Sequence, residues 1–496
     1  MVKIVGSVID SLTGQLVSAR IHAKGSNGDV FYPNNTIKKV GPGLNAFYSD
    51  GEFILDVPPG ETEIIVEKGT EYLPSIQKII LRGKASKNIN IFLNRWEDLS
   101  KNGWYSGNTH IHYDQNEKNP DMRLSMEPKV NDLNVTILSI LERWDIPYAS
   151  NKYPIGFMNS MSSAHHIVDI GEESRHNVFS QQETYHQNRK ANTNYMKDTI
   201  GYGHVMFVNL SNKVSPLSRG LLVDESNPDY PPLAFACDKA REQKGIVIWC
   251  HNGAGMEAPI CAALGKLDAF NLFDPNWMEP EYDVYYELLN CGFKFPVSTG
   301  SDWYVCSNNR VYTNIESEFS YRKWLDGLLT GNTFITNGPA LFLSAEDKIP
   351  GQIVEKNPDE SVDIKIELSS GYPIHNIELL FNGDVIKEWT IKNGSTKLHF
   401  NEKCNFSTDG WLIARCSSKI RDSFFQPIFA HTSPIYIKTG KKGNKVKISA
   451  TRILEKITHA EEWINVNGKF KTLADKKKIQ DLYTEGKNVF LQISKK

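Results

Sequence analysis

No apolar run in this sequence approaches the ~18–20 residues that a helix needs to cross a bilayer. An excess of one charge is also lacking, because 56 lysines and arginines nearly balance 58 aspartates and glutamates and leave a net charge of −2. A protein that binds nucleic acid by neutralising phosphates needs a basic surface. We therefore expect neither a membrane nor a nucleic acid as a partner.

Cysteine is sparse. The seven cysteines include no Cys-x-x-Cys pair, which argues against a disulfide scaffold or a zinc ribbon and for reduced thiols in a core. The first ten residues enter a strand-like alternation at once, without the charged and apolar segments of a secretory leader. These observations predict a cytoplasmic protein, with export after removal of a leader left open. They predict nothing about its oligomeric state.

A chain of 496 residues is too long for one hydrophobic core, so we expect several domains. Residues 1–97 alternate apolar and polar positions between turns rich in glycine and proline, which is typical of a small β-sandwich. Alternation returns over 341–440 and predicts a second sandwich. The remaining residues, 441–496, carry two helical patterns, near 447–465 and 472–491.

Strands and helices alternate over residues 98–340. A helix with prolines at its start and a glycine at its end spans 231–245, and the buried-type strand Ile246–Cys250 follows it. Such alternation continues to Thr299 and is typical of parallel βα units in a barrel or a doubly wound sheet. The stretch 174–203 is polar and nearly free of aliphatic residues, so we expect a long loop with a functional use.

The first candidate site residues are His110 and His112, in the run Gly107-Asn-Thr-His-Ile-His. On a strand, residues i and i+2 point to the same face, so both imidazoles can reach one metal ion. The His-x-His spacing alone is weak evidence for a metal site, because about 0.3 such pairs are expected by chance in a chain with this many histidines.

Three further metal-competent side chains follow apolar, strand-like runs. His251 comes directly after Ile246–Cys250, Asp302 follows Gly300-Ser301, and Glu173 follows the run that ends at Ile170. The carboxyl ends of the strands carry the active site in β/α barrels. If these residues had only structural roles, any one of them could follow a strand by chance, but it would be improbable for all three to do so.

An ordered set of motifs resembles the PHP (polymerase and histidinol phosphatase) superfamily, and within it the CehA/McbA branch of metallohydrolases. The motifs are Gly103-Trp-Tyr-Ser-Gly-Asn-Thr-His-Ile-His, Gly171-Glu-Glu-Ser-Arg-His, Gly203-His204, Trp249-Cys-His-Asn-Gly and Ser298-Thr-Gly-Ser-Asp-Trp. The resemblance implies a multidomain protein with a PHP-type distorted β/α barrel, flanked by two β-sandwich domains and followed by a short helical segment. Residues 1–97 resemble a carboxypeptidase regulatory-like domain, for which no catalytic role is expected.

The resemblance also implies a pair of divalent metal ions, zinc first and manganese or iron as alternatives. His110, His112 and Asp302 would hold one ion, and His204 and His251 the other. Glu173 would bridge the two ions, and it is preferred over Glu172 because the family's glutamate lies two residues before an arginine. His204 begins a strand rather than ending one, so only the resemblance nominates it. The implied reaction is hydrolysis of a small molecule, with Asp302 and Glu173 as catalytic residues.

Two departures from the family pattern argue against a third metal. Tyr304 stands where the superfamily usually has a histidine ligand, and the histidine of the second motif is missing near Asp132. Because of this loss the superfamily's usual phosphatase activity becomes less expected than cleavage of an ester, carbamate or amide.

Candidate substrate-binding residues come from the neighbourhood of these motifs. A guanidinium group can pair with an anion, although a structural salt bridge is an equal alternative for both candidate arginines. The candidates are Arg175, His176, Trp303, Tyr304 and Arg310. Two other functions stay open: a PHP-type phosphoesterase, and a carbohydrate- or surface-binding protein on a degraded barrel.

Overall fold

The protein is described by a computed structural model that covers residues 1–83, 86–143, 146–177, 201–220, 227–251, 254–273, 282–303 and 305–495. Within these residues the chain is multidomain and mostly β, with a few helices and one large sheet that curls into a half-barrel. None of the helices described is both long and apolar enough to cross a membrane.

Two sheets near the amino terminus share one apolar core. The first has the order β4-β1-β7 and the second β3-β2-β5-β6. Alternate residues of each point inward, so that Ile4 and Leu55 of one sheet meet Ile21 and Ile64 of the other. The strands are β1 (Val2–Asp10), β2 (Ala19–Lys24), β3 (Phe47–Ser49), β4 (Glu52–Val57), β5 (Gly60–Glu67), β6 (Ser75–Leu81) and β7 (Lys87–Leu93).

The curled sheet occupies the middle of the chain, with helices on its outside. Its strands are β8 (Trp104–Ile111), β9 (Val135–Ile140), β10 (Gly156–Phe157), β11 (Ile167–Asn177), β12 (Gly203–Val208), β13 (Ser218–Gly220), β14 (Ile246–Trp249), β15 (Ala269–Asn271), β16 (Val297–Ser298) and β17 (Arg310–Asn314). The helices are α1 (Pro120–Val130), α2 (Leu233–Glu242), α3 (Ala258–Ala263), α4 (Asp283–Asn290) and α5 (Tyr321–Thr330).

Strand direction in this sheet is mixed. The predicted parallel arrangement is confirmed for β14, β15 and β16, and β8, β9 and β11 are also parallel. Between these two sets β12 runs antiparallel to both β11 and β14, and β17 runs antiparallel to β8. The backbone N–H groups of Ser301 and Asp302, just after β16, each donate to the His110 carbonyl at 2.8 Å. The segment after β16 therefore returns to β8 and curls the sheet.

The sheet continues into the last part of the chain. Strand β18 pairs with β17 on one side and with β24 on the other. The hairpin β21–β22 turns at Asn382-Gly383, where both residues have positive φ, as the Asn-Gly pair predicts. The strands are β18 (Thr333–Thr336), β19 (Ala340–Ala345), β20 (Ile353–Glu355), β21 (Ser361–Phe381), β22 (Asp384–Asn405), β23 (Gly410–Arg421), β24 (Pro427–Thr432) and β25 (Ile435–Lys438).

Two long helices, α6 (Lys445–Val466) and α7 (Leu473–Ser494), close the chain where two helical patterns were predicted. The Thr472 hydroxyl caps α7 by accepting from the Asp475 N–H at 3.1 Å. Apolar residues of both helices, such as Ile453 and Phe490, belong to the same hydrophobic core as the helices and strands of the curled sheet. The helical segment is thus packed onto that sheet.

Candidate metal centre

His110 and His112 lie at the carboxyl end of β8 and point to the same side of it. Their Nε2 atoms are 3.0 Å apart, and both side chains are buried. The prediction from their spacing, that both imidazoles reach one point, is confirmed. Asp302 joins them from the segment after β16, with its Oδ1 3.5 Å from His110 Nε2.

Glu173 lies at the centre of the cluster. Its Oε2 is 2.9 Å from His112 Nε2, and its Oε1 is 3.0 Å from His204 Nδ1. It belongs to the interior of β11 rather than following the end of a strand, so the predicted position was wrong. Glu172 points to the opposite face, where it accepts from the Val214 N–H at 2.6 Å and where burial raises its pKa to about 8.

The antiparallel direction of β12 explains why a ligand can stand at the start of a strand. Residue 204 is paired with Arg175, near the end of β11, and its carbonyl accepts from the Cys250 N–H, just past β14. The amino end of β12 thus lies beside the carboxyl ends of its neighbours. His204 Nδ1 is 2.7 Å from His251 Nε2, and His251 Nε2 is 3.5 Å from Glu173 Oε1.

Two of these residues have unusual backbone conformations. His251 and Asp302 are in the left-handed region, with φ of 56° and 48°. Non-glycine residues pay of order 1–3 kcal/mol for such a conformation, and strained positions of this kind cluster at functional sites. His251 lies two residues past β14 and Asp302 four residues past β16, and the side chains of both reach the cluster.

The donor atoms form two groups that share Glu173. One ligand atom from each of His110, His112, Glu173 and Asp302 lies within 4.8 Å of the others, and the same holds for Glu173, Cys250 and His251. His204 Nδ1 lies close to two members of the second group, 2.7 Å from His251 Nε2 and 3.0 Å from Glu173 Oε1. These buried atoms could hold a metal ion.

Hydrogen bonds behind the cluster orient the imidazoles for metal binding. His112 Nδ1 lies 3.0 Å from the Ser139 carbonyl, and His204 Nε2 lies 2.7 Å from Asn177 Oδ1. Both partners are acceptors, so each ring donates its proton outward and turns an unprotonated nitrogen towards Glu173. Neither oxygen of Glu173, whose side chain is 1% exposed, accepts a hydrogen bond from the residues described. Converging lone pairs of this kind fit a cation.

The protonation equilibria favour the same conclusion. Burial lowers the pKa of His112, and it lowers the pKa of His204 to about 3, so both rings are neutral. His110 is the exception: burial disfavours its charged form, yet the carboxylates of Asp302 and Glu173 raise its pKa. The negative charge that attracts a proton there would also attract a metal ion.

Two predicted substrate-binding residues lie beside the cluster. The indole of Trp303, which is half-buried, stacks on the His112 ring with centroids 4.6 Å apart. Arg175 is two residues from Glu173 on the same face of β11, and its Nε donates to Ser218 Oγ at 3.5 Å. Its Nη2 is buried without a hydrogen-bond partner among the residues described.

The remaining predicted substrate residues lie elsewhere. His176 is on the opposite face of β11, buried rather than solvated, with Nε2 2.8 Å from Asp229 Oδ1 and its ring stacked on Tyr202. The prediction of a loop was wrong for residues 174–177, which belong to β11. Arg310 donates to the carbonyls of Asn308 and Asn131, away from the cluster. Tyr304 lies outside the described residues, as does most of the loop.

Two residues of the site were missed from the sequence. Asn177 binds His204. It lies four residues after Glu173 on the same face of the strand, so a prediction that continued this strand to residue 177 would have identified it. Cys250 had been interpreted only as a core thiol, although it adjoins His251. None of the proposed ligands lines the cavity of about 290 Å³ between β8, β18, β19 and β21, whose walls combine aromatic side chains such as Trp104 and Phe334 with the charged Lys365 and Glu367.

Comparison with known proteins assigns no family. No family model matches the chain, and no curated protein matches it. Among solved structures, the chain is similar to the crystal structure of a beta-glucuronidase from Bacteroides uniformis, at 11% identity and a TM-score of 0.17. That alignment covers 88% of this chain and 58% of the beta-glucuronidase chain. A similarity this low supports no argument about fold or function.

Proposed function

We propose that the protein is a metal-dependent hydrolase that uses water to cleave an ester, carbamate or amide bond of a small molecule. The observation that carries the proposal is the convergence of four imidazoles and two carboxylates, all buried, around Glu173. The motif resemblance to the CehA/McbA branch of the PHP superfamily supports it. We further propose that the curled sheet is a PHP-type barrel between two β-sandwiches.

The proposed ligands divide into two sets around a shared carboxylate. His110, His112 and Asp302 would hold one divalent ion and His204 and His251 the other, with Glu173 between them. When bound, a divalent ion would polarise the scissile group and lower the pKa of a water molecule towards neutrality. Zinc suits this donor set, and manganese and iron are the alternatives.

The chain's own side chains have distinct tasks in this proposal. Ser139 and Asn177 fix the two imidazoles that they contact, so the ligand atoms are in place before the substrate binds. Asp302 is the proposed proton acceptor for the attacking water, because its carboxylate lies at the edge of the cluster, with Oδ1 3.5 Å from His110 Nε2 and 3.7 Å from His112 Nε2. Trp303, stacked on His112, would form one wall of the substrate pocket.

A second candidate function is a phosphoesterase, and Arg175 favours it. Its Nη2 is buried beside the cluster without a partner among the residues described, and an unsatisfied buried donor costs about 1–3 kcal/mol. An anionic group of a substrate would satisfy that donor. Assaying phosphate monoesters alongside carboxylic and carbamic esters separates the two functions.

Metal content tests the proposal directly. Protein purified without a histidine tag is analysed for metals, together with His112→Ala and the control His399→Ala, whose ring is half-exposed on β22. We expect about two equivalents in the parent and the control, and a clear loss in His112→Ala. About one equivalent of metal would be compatible with a hydrolase but would exclude a Glu173 carboxylate shared between two ions. No metal, even after reconstitution, would refute the enzyme and favour a carbohydrate- or surface-binding protein.

A further inference from the structure

Cys250 lies at the second half of the metal centre. It directly follows β14 and is fully buried. Its sulfur lies within 4.8 Å of one ligand atom each of Glu173 and His251. The other cysteines described do not belong to either group of metal-competent side chains.

We propose that Cys250 is a ligand of the second metal subsite, together with His204, His251 and Glu173, and that this subsite therefore prefers a thiophilic cation such as zinc. The inference rests on the proposed metal centre and specifies the ion that it takes. Cys250 and His251 after β14, Glu173 within β11 and His204 of β12 would then supply four donors, the number that tetrahedral zinc requires.

Distances within the group are compatible with one ion. Donors bound to the same tetrahedral zinc lie about 3.5 Å apart. The His204, His251 and Glu173 atoms are already 2.7–3.5 Å from one another. The Cys250 sulfur lies 3.8 Å from the Ile248 carbonyl oxygen and within 4.8 Å of one ligand atom each of Glu173 and His251. A rotation of the Cys250 side chain that brings the sulfur closer to those two atoms would give the spacing of donors on one zinc ion.

Charge supplies the second argument. Two divalent ions carry four positive charges, and the carboxylates of Glu173 and Asp302 neutralise two of them. The second subsite would otherwise have only neutral imidazoles and the shared, buried carboxylate, whose oxygens accept no hydrogen bond among the residues described. A thiolate adds a third negative charge where it is needed, since buried charges require a partner. On binding, the thiol releases its proton to solvent, and no oxidation occurs.

A thiolate ligand changes which metal the subsite selects. Thiolates favour zinc, whereas manganese prefers oxygen donors. The first subsite has two imidazoles and two carboxylates and discriminates less. The two subsites should therefore differ in their response to manganese, with zinc retained at the subsite that contains Cys250.

Cobalt spectroscopy distinguishes this ligand from the other donors. Metal-free protein is loaded with Co²⁺ as the parent, Cys250→Ser, Cys250→Ala and the control Cys404→Ser, with folding checked by circular dichroism. Cys404 is half-buried on β22, away from the cluster. We expect visible d–d bands in all four proteins. A near-ultraviolet thiolate-to-cobalt band should appear in the parent and in Cys404→Ser and be absent from both Cys250 variants.

The outcomes separate the ligand from the centre. Visible bands without the near-ultraviolet band in the parent would overturn the assignment of Cys250 and leave the metal centre intact. A near-ultraviolet band that persists in both Cys250 variants would assign the thiolate to another cysteine and also overturn it. Failure of the parent to bind cobalt would refute the proposed function itself. In zinc competition, Cys250→Ser should weaken the second equivalent about tenfold or more, with manganese affinity nearly unchanged.

Discussion

Gly300 is the position where one methyl group should disturb both the fold and the metal centre. It precedes Ser301 and Asp302, whose N–H groups bind the His110 carbonyl and curl the sheet. A Cβ added to Gly300 would lie 2.7 Å from the His110 nitrogen and 2.9 Å from its Cα, and closer still to its Cβ. These are atoms of β8 that cannot rotate away, so Gly300→Ala must displace one segment from the other.

The magnitude follows from two contributions. Forcing a methyl group into a packed core costs about 1–3 kcal/mol. If the segment lifts from β8, the two 2.8 Å hydrogen bonds to His110 weaken, and each is worth about 0.5–1.5 kcal/mol. We expect Gly300→Ala to lower the free energy of unfolding by about 2–6 kcal/mol. Since Asp302 moves with the segment, zinc affinity should also fall by about tenfold or more.

Urea unfolding of the metal-free protein measures the first effect, and zinc titration against a chromogenic chelator measures the second. Gly443→Ala is the matched control, because its Cβ would meet only the Thr408 side chain, at 3.1–3.4 Å. A Gly300→Ala protein with the parent's stability and zinc affinity would show that the contact between this segment and β8 does not maintain the curl of the sheet.

Two other substitutions test single groups. Asn177→Ala removes the acceptor that orients His204, so zinc affinity should fall about 10–100-fold. The control Asn393→Ala, at an exposed position on β22, should leave zinc affinity unchanged. Equal zinc affinities of the two variants would exclude an orienting role for Asn177. Burial raises the pKa of Glu257 from 4.5 to about 7, so the folded state holds a proton that the unfolded state releases, and stability from this group falls as pH rises through that window. Glu257→Gln should therefore gain stability relative to the parent between pH 5 and 8 in urea unfolding, and a difference independent of pH would contradict this reasoning.

Local patterns were sufficient for the parts of the site that depend on one strand. The spacing of His110 and His112 placed both rings together because strand residues alternate with a period of two. The position of His251 after β14 followed from an apolar run that ends abruptly. Helices α6 and α7 were likewise predictable from their apolar periodicity.

The same reasoning failed for a strand that buries polar residues on both of its faces. Residues 174–177 look like the start of a loop, yet they continue β11, with His176 bound to Asp229 on one face and Asn177 bound to His204 on the other. The direction of β12, and hence the place of His204, depends on its pairing with β11 and β14. The position of the Arg310 side chain depends on its hydrogen bond to the Asn131 carbonyl, which is too distant in the chain for a local sequence pattern to predict.

The packing of α6 and α7 into the core of the curled sheet has a consequence for biosynthesis. The last helix contributes Phe490 and Tyr483 to a core that also contains Val205 and Ile248 of the curled sheet. A ribosome adds about 5–20 residues per second, so roughly 10–30 s separate synthesis of α5 from that of α7. During that interval the amino-terminal sheets can fold, whereas the half-built core beneath the metal centre stays open to chaperones and to aggregation. The core beneath the site is thus completed only after α7 has been synthesised.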